Sequence, residues 1–141
     1  MATASLKLMI LTGVFFNIFI RGTNGERCNT SSIQVQTMNT GMMVAGGDTV
    51  FEVSVKNLCP CAVRNVRVDG RGFATTVDVD PAVFRADDEG PGVYLVNGGE
   101  PIASMATVTF QYAWDHFFEM TARNLEVDGQ CQAQASYGPM T

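Results

Sequence analysis

The chain has 141 residues, of which 46% are hydrophobic and only 16% are charged, and its formal net charge is −5. This is enough apolar material for one small globular domain, and the composition excludes a coiled coil or a disordered polar chain. A negatively charged protein repels phosphates, so nucleic acid is not an expected partner.

The first 25 residues have the pattern of a secretory signal peptide. A short, weakly positive start containing Lys7 leads into an apolar run over residues 8–20. As a helix this run extends about 20 Å, too little for the ~30 Å hydrocarbon core of a membrane. Small side chains at Thr23 and Gly25 predict cleavage after Gly25, so the mature chain is expected to start at Glu26.

A glycosylation acceptor follows the predicted cleavage site. Asn29, Thr30 and Ser31 match the N-glycosylation pattern directly after Cys28. The pattern makes Asn29 a candidate glycosylation site in a secreted protein, although a disulfide at Cys28 that forms early competes with glycan addition.

Alternation of apolar and polar residues dominates the rest of the chain. In residues 50–56, Phe51, Val53 and Val55 fall on one side and polar residues on the other, which predicts a half-buried antiparallel strand. The same period predicts strands over residues 33–36, 63–68, 73–79, 93–96, 106–112 and 121–127. We therefore predict an all-β fold, a disulfide-stapled antiparallel β-sandwich of about seven short strands.

The segments between these strands are rich in turn residues. Gly, Asn, Asp and Pro concentrate at residues 46–48, 57–60, 69–72, 87–92 and 97–99. Residues 114–120 are interpreted as a loop that leads into the last strand. The secreted domain is expected over residues 26–131, followed by a disordered tail over residues 132–141.

The sequence contains few candidates for catalysis. His116 is the sole histidine, and no nucleophile motif surrounds it. Asp78 and Asp80 fall on one face of a predicted strand, where a carboxylate pair can hold a cation on a nucleotide-sugar, as in glycosyltransferases. The alternative is a polar strand face that ends at Pro81, and the small domain without a βαβ pattern favours it. We expect no enzyme activity, no cofactor and no metal.

Four cysteines remain in the predicted mature chain: Cys28, Cys59, Cys61 and Cys131. The secretory route is oxidising, so two disulfides are expected; a zinc site would need a second pair of closely spaced ligands. Four cysteines allow three pairings, and a bond between Cys59 and Cys61 across Pro60 is disfavoured by disulfide geometry. Cys28 is therefore expected to pair with one of the central cysteines and Cys131 with the other.

Several motifs together resemble one family. They are residues 33–36 after Cys28, the strand and cysteines of residues 51–61, Gly72-Phe73, residues 80–84, the turn of residues 94–102, residues 109–114 and the closing Cys131. The most specific are Asn-x-Cys followed shortly by Cys, Leu-Val-Asn-x-Gly-x-Pro-Ile, and Phe-x-Tyr-Ala. Over residues 28–131 the chain resembles the plant tapetum determinant family of small secreted cysteine-rich proteins.

The resemblance implies a secreted signal that a leucine-rich-repeat receptor kinase perceives at the cell surface. Such a signal acts in cell fate decisions of the anther, including the tapetum, and of other reproductive cells. The commoner family pattern has six cysteines, and it implies that the two missing ones fall at Gly70 and Tyr94 and pair with each other. The receptor-contacting residues are not assigned by the resemblance.

A second interpretation is an apoplastic β-sandwich that binds cell-wall carbohydrate or has a structural role. Sugar binding of this kind needs exposed aromatic side chains on one face. Trp114, Tyr112 and Tyr94 are the plausible platform.

Overall fold

The computed structural model describes residues 28–129 and 131. In this part of the chain seven strands follow one another: β1 (Ile33–Met43), β2 (Thr49–Asn57), β3 (Val63–Asp69), β4 (Phe84–Ala86), β5 (Val93–Val96), β6 (Thr107–Trp114) and β7 (Thr121–Val127). One 3₁₀ turn (Thr30–Ser32) precedes β1 and another (Asn97–Gly99) follows β5. The predicted all-β class is confirmed. The predicted signal peptide, its cleavage site and the predicted tail lie outside the described residues.

The strands form two antiparallel sheets. One has the order β1-β2-β6 and the other the order β4-β5-β3-β7. In the first sheet Val53 lies between Thr37 of β1 and Phe110 of β6, so the alternation seen in the sequence gives β2 a continuous inward face. The predicted antiparallel β-sandwich is confirmed.

The core lies between the two sheets. Val53 from the first sheet and Val66 and Val68 from the second are fully buried. Phe84 of β4 stacks on Phe110 of β6 with ring centroids 4.1 Å apart, which joins the sheets directly. Folding removes the apolar surface of both inner sheet faces from water. This burial supplies most of the stabilisation of a small sandwich.

Tyr112 is the most deeply buried aromatic side chain of the described residues. It has no exposed surface and stacks on Phe51 with ring centroids 5.3 Å apart. Its hydroxyl oxygen accepts a hydrogen bond of 2.8 Å from the backbone N–H of Phe118. Burial raises the pKa of Tyr112, and the Phe118 hydrogen bond offsets part of that rise. This bond ties the loop before β7 to the core.

Tyr112→Phe is expected to lower the free energy of unfolding by about 1–3 kcal/mol, because it leaves the buried N–H of Phe118 without its acceptor. Tyr94→Phe is the matched control, since Tyr94 is half-buried and its hydroxyl makes no hydrogen bond within the described residues. Urea unfolding of both variants measures the difference. Equal stability of the two variants would contradict the role given to the Tyr112 hydroxyl.

The strand predicted over residues 73–79 is wrong. The Thr75 hydroxyl oxygen accepts from the backbone N–H of Val77 at 3.2 Å and of Ala113 at 3.1 Å, while the Thr76 N–H donates to the Ala113 carbonyl at 2.9 Å. A side chain thus replaces part of the ladder, so the segment borders β6 without forming a strand. The three-residue β4, which sequence alternation did not reveal, supplies the missing strand of the second sheet.

Two further sequence predictions are refined. Residues 115–120 are a loop that leads into β7, as predicted, whereas Trp114 is the last residue of β6. β1 runs to Met43, well beyond the predicted residues 33–36, although its register against β2 shifts between Asn39 and Met43.

Candidate functional site

Both disulfides lie at one end of the sandwich. Cys28 pairs with Cys59 and Cys61 with Cys131, with Cα–Cα distances of 5.4 and 5.6 Å. As expected, Cys59 and Cys61 do not bond to each other, and the structure selects one of the two pairings that the sequence left open. The first disulfide encloses β1 and β2, and the second encloses β3 to β7.

Asn57 organises the backbone between the two disulfides. Its side chain is almost fully buried, and its Nδ2 donates to the carbonyls of Cys61 at 2.9 Å and Ile102 at 3.0 Å. Its Oδ1 accepts from the Cys59 N–H at 2.9 Å. The amide group donates two hydrogen bonds and accepts one, so Asn57 is a structural residue that fixes the direction of both central cysteines. These bonds give a structural reason for the Asn-x-Cys motif, which turn composition alone does not predict.

The Asn97–Gly99 turn packs against the same region. All three residues have positive φ, and a Cβ at Gly99 would lie 2.8 Å from the Asn65 Oδ1. Only glycine fits there without displacing a neighbour. The turn delivers Ile102 to a bridge with Val63, where the Ile102 carbonyl reaches the Asn57 amide. Two of the recognised motifs therefore meet at this corner.

Gly70 and Tyr94, the positions of the two missing cysteines, are neighbours. A Cβ built on Gly70 would lie 3.3 Å from the Tyr94 Cδ1. The Tyr94 ring stacks on Phe84 with centroids 4.8 Å apart and contacts Phe73 edge to face. Aromatic packing between β3 and β5 thus occupies the place where a six-cysteine relative is expected to have a disulfide.

We predict that Gly70→Cys combined with Tyr94→Cys forms a third disulfide. The thiol at position 94 would occupy the place of the first ring atoms, within bonding reach of a thiol at position 70. The experiment measures disulfide formation and not stability, because the lost Tyr94 ring contacts offset the stability that a third disulfide adds. Peptide mapping without reductant measures it, and two free thiols in the purified variant would contradict the prediction. Gly70→Cys alone is the control and should keep a free thiol.

A charged network covers the outer side of the second sheet. Arg67 bonds to Asp87 at 3.0 Å, and Arg123 bonds to Asp69 at 3.0 Å and to Glu89 at 3.2 Å. The backbone N–H of Glu89 and the Arg67 guanidinium lower the pKa of Asp87, against the opposing effect of burial. These groups pair with one another, so the network holds the loop before β5 against β3 and β7.

Asp87→Asn is expected to lower the free energy of unfolding by roughly 1 kcal/mol at pH 7. A carboxyl with a lowered folded-state pKa stabilises the fold above its unfolded pKa and loses this contribution as the pH falls. The difference between variant and parent should therefore shrink below about pH 4. Urea unfolding at several pH values measures it. Asp88→Asn, a change at the exposed neighbour, is the control and should leave the free energy of unfolding within about 0.5 kcal/mol of the parent at pH 7.

The candidate catalytic residues do not assemble into a site. His116 is 63% exposed, and its Nδ1 lies 2.6 Å from the Oδ1 of the adjacent Asp115. Asp78 and Asp80 are exposed and lie outside any strand, and the Asp80 Oδ1 accepts from the Ala82 N–H at 2.9 Å, which forms a local turn. The structure therefore places Asp80 at the start of a turn that contains Pro81 and gives the pair no shared strand face.

No aromatic platform forms from the three residues considered for sugar binding. Tyr112 is fully buried, and Tyr94 packs its ring on Phe84 at the border of the core. Trp114 is half-buried at the end of β6. An exposed stacking surface of the three rings is therefore excluded.

The described residues hold one grouping of metal-ligand side chains and no membrane-spanning helix. Their only grouping of three or more metal-ligand side chains is Cys28, Cys59 and Cys61, whose sulfurs form disulfides. Within the same residues, no helix has the length and apolar character needed to cross a membrane.

Comparison with known proteins assigns the family. A model of the C-terminal region of tapetum determinant 1 matches residues 29–128. An Arabidopsis thaliana protein described as uncharacterized is 36% identical over 83 residues, which are 58% of this chain and 63% of the relative, so the chain spans less than two thirds of that curated relative. No solved structure matches the chain. Because the family model covers most of the chain, including both sheets and the two central cysteines, this protein belongs to the tapetum determinant 1 family.

Proposed function

We propose that this chain is a secreted ligand of a plant leucine-rich-repeat receptor kinase and acts in cell fate specification in the anther and other reproductive tissue. The observation that carries the proposal is the family match over residues 29–128. The family is one of signalling proteins, and its members are not known as enzymes. The three recognised motifs also have clear structural roles, at Asn57, Gly99 and Tyr112.

An extracellular location fits the covalent structure of the domain. Two disulfides joined over separations of 31 and 70 residues are typical of a protein that folds in the secretory route. The amino-terminal pattern supports the same route, with cleavage after Gly25 and release into the apoplast. Amino-terminal sequencing of the secreted protein tests this step. A membrane-retained species that still carries Met1 would contradict it.

Binding assays with immobilised partners test the receptor role. The secreted chain is passed over a panel of leucine-rich-repeat receptor ectodomains and, in parallel, over cell-wall polysaccharides. We expect saturable binding to at least one ectodomain and none to the polysaccharides. Binding to polysaccharides alone would overturn the proposal in favour of a wall-binding sandwich.

A paired aspartate variant separates the ligand role from an enzyme role. Asp78→Asn together with Asp80→Asn should leave receptor binding unchanged, because both side chains are exposed and outside the sheets. Neither the parent nor the variant should transfer or hydrolyse sugar. Metal-dependent sugar transfer that this double change abolishes would overturn the ligand proposal.

Glycosylation at Asn29 is part of the proposal. The residue is exposed, and its Oδ1 accepts from the Ser31 N–H at 2.9 Å in the turn before β1. Asn29→Gln should remove one glycan from the protein secreted by plant cells, which a mobility shift by electrophoresis measures. Identical mobility of parent and variant would show that the acceptor is unused.

A further inference from the structure

Within the described residues, the long edge strand β1 lacks the protection that the other sheet edges have. A free strand edge presents unpaired backbone groups, and proteins usually shield it with charge, proline, shortness or a covering segment. β4 has three residues, β7 carries Arg123 and Glu126, and β6 is bordered at Ala113 by Thr75 and Thr76. β1 has 11 residues and contains no charged residue and no proline.

The backbone of β1 faces outward at alternate residues. The Leu58 N–H donates to the Ser32 carbonyl, so the even-numbered residues of β1 bond to β2. In an antiparallel ladder the odd-numbered residues then direct their N–H and C=O groups to the free edge. These residues are Val35, Thr37 and Asn39, which precede the register shift at the end of the strand. They offer a straight template for one more strand.

Apolar surface concentrates along the same edge. Six large hydrophobic side chains are notably exposed in the described residues, and Met38, Met42 and Met43 of β1 are three of them. A fourth, Phe117, borders a groove of about 260 Å³ with Thr37 and Asn39. Ile33 and Val35 line a second groove of about 300 Å³ between β1 and β7. The sandwich is therefore open along β1 on its inner side.

We propose that β1 is a homodimer interface, in which β1 of a second copy adds antiparallel about a two-fold axis at Gln36. This pairing joins the two three-stranded sheets into one six-stranded sheet. It places Val35 opposite Thr37 of the second copy and Gln36 opposite its own equivalent. The proposal stands on the edge itself and is independent of the receptor role.

Charge favours a second copy as the occupant. Every residue from Asn29 to Gly47 is uncharged in a chain whose formal net charge is −5, so two copies meet here without opposing like charges. Gln34 lies beside Lys56 and Met38 beside Glu52 in the present sheet. Pairing about Gln36 brings Gln34 opposite Met38 of the second copy. Lys56, on β2 beside Gln34, then lies in line across the joined sheet with Glu52 of that copy. These two charges are opposite in sign and three strand spacings apart, roughly 14 Å, so they do not oppose pairing at this register.

Covalent trapping tests the interface and its register. In Gln36→Cys the two thiols would meet at a non-hydrogen-bonded pair, where Cα atoms are about 4.5 Å apart, and mild oxidation should give a disulfide-linked dimer. Ser54→Cys is the matched control, because Ser54 lies beside Gln36 on the same face but one strand further from the axis. Only the first variant should form the linked dimer. Equal trapping of both variants, or of neither, would overturn the proposal.

Charged substitutions at Gln36, on the two-fold axis, give a second test, in which sedimentation equilibrium measures dimerisation. The secreted full chain should show a concentration-dependent dimer. Gln36→Lys and Gln36→Glu should each raise its dissociation constant about fivefold, because like charges face each other, and an equimolar mixture should restore the parental value. A parent that stays monomeric at high micromolar concentration would overturn the proposal. Dimerisation only after removal of residues 132–141 would also overturn it, in favour of the chain's own end as the occupant.

Discussion

Cys131→Ser is expected to lower the free energy of unfolding by about 4 kcal/mol, the chain-entropy value for a loop of 70 residues. The bond from Cys61 to Cys131 closes a loop that contains five of the seven strands. Its loss lets β7 separate from β3 at the edge of the second sheet. Since a small domain has only about 5–15 kcal/mol of stability, the amount secreted should also fall sharply.

The double variant Cys61→Ser with Cys131→Ser is the control for this experiment. The single variant leaves Cys61 as a free thiol that can attack the Cys28–Cys59 bond, whereas the double variant leaves no free thiol. Urea unfolding of the double variant isolates the loss of the loop constraint, and peptide mapping of the single variant reports exchange. Parental stability of the double variant would show that the sheets hold β7 without the disulfide.

The regular parts of the fold were predictable because they depend on local alternation. Residues 51–56 alternate without interruption, and they lie in the central strand of the first sheet. Residues 73–79 alternate as well, and Phe73 contacts the Phe84, Tyr94, Tyr112 and Phe118 rings of the core. The threonine hydroxyl of Thr75 captures the backbone partners that a strand would need. Alternation reports which side chains turn inward, and it does not report where backbone hydrogen bonds go.

The choice between the two remaining disulfide pairings needed contacts that are distant in sequence. Geometry excluded a bond across Pro60, but Cys28 had two partners open to it. The antiparallel register of β1 on β2 brings Ser32 to Leu58, next to Cys59, while Cys61 turns toward β3 and the end of β7. Register is a long-range property, so residue spacing alone did not reveal it.

Polar contacts across the sheet were also hidden from the sequence. Arg123 and Asp69 are 54 residues apart, and Arg67 and Asp87 are 20 apart. No local motif marks such pairs. For Asn57 a signal did exist, because its motif recurs in the resembled family, but its neighbours indicated only a turn.

Asn57→Asp is expected to lower the free energy of unfolding by about 3–5 kcal/mol at pH 7. The change replaces the Nδ2 donor by a carboxylate oxygen that faces the carbonyls of Cys61 and Ile102 at a site with 1% exposure. A buried charge against two carbonyl oxygens has no compensating partner. Protonation restores one donor, so the folded state favours the neutral acid, and the deficit should shrink as the pH falls toward 4.

The control for this change is Asn39→Asp on the exposed end of β1. The Asn39 Oδ1 accepts from the Gly41 N–H at 2.8 Å, a bond that a carboxylate keeps, so this variant should stay within about 0.5 kcal/mol of the parent. Urea unfolding of both variants with the disulfides intact measures the two effects. If Asn57→Asp unfolds like its control, the amide does not hold the corner. If it is strongly destabilised and recovers in acid, the directions of both central cysteines depend on one buried side chain.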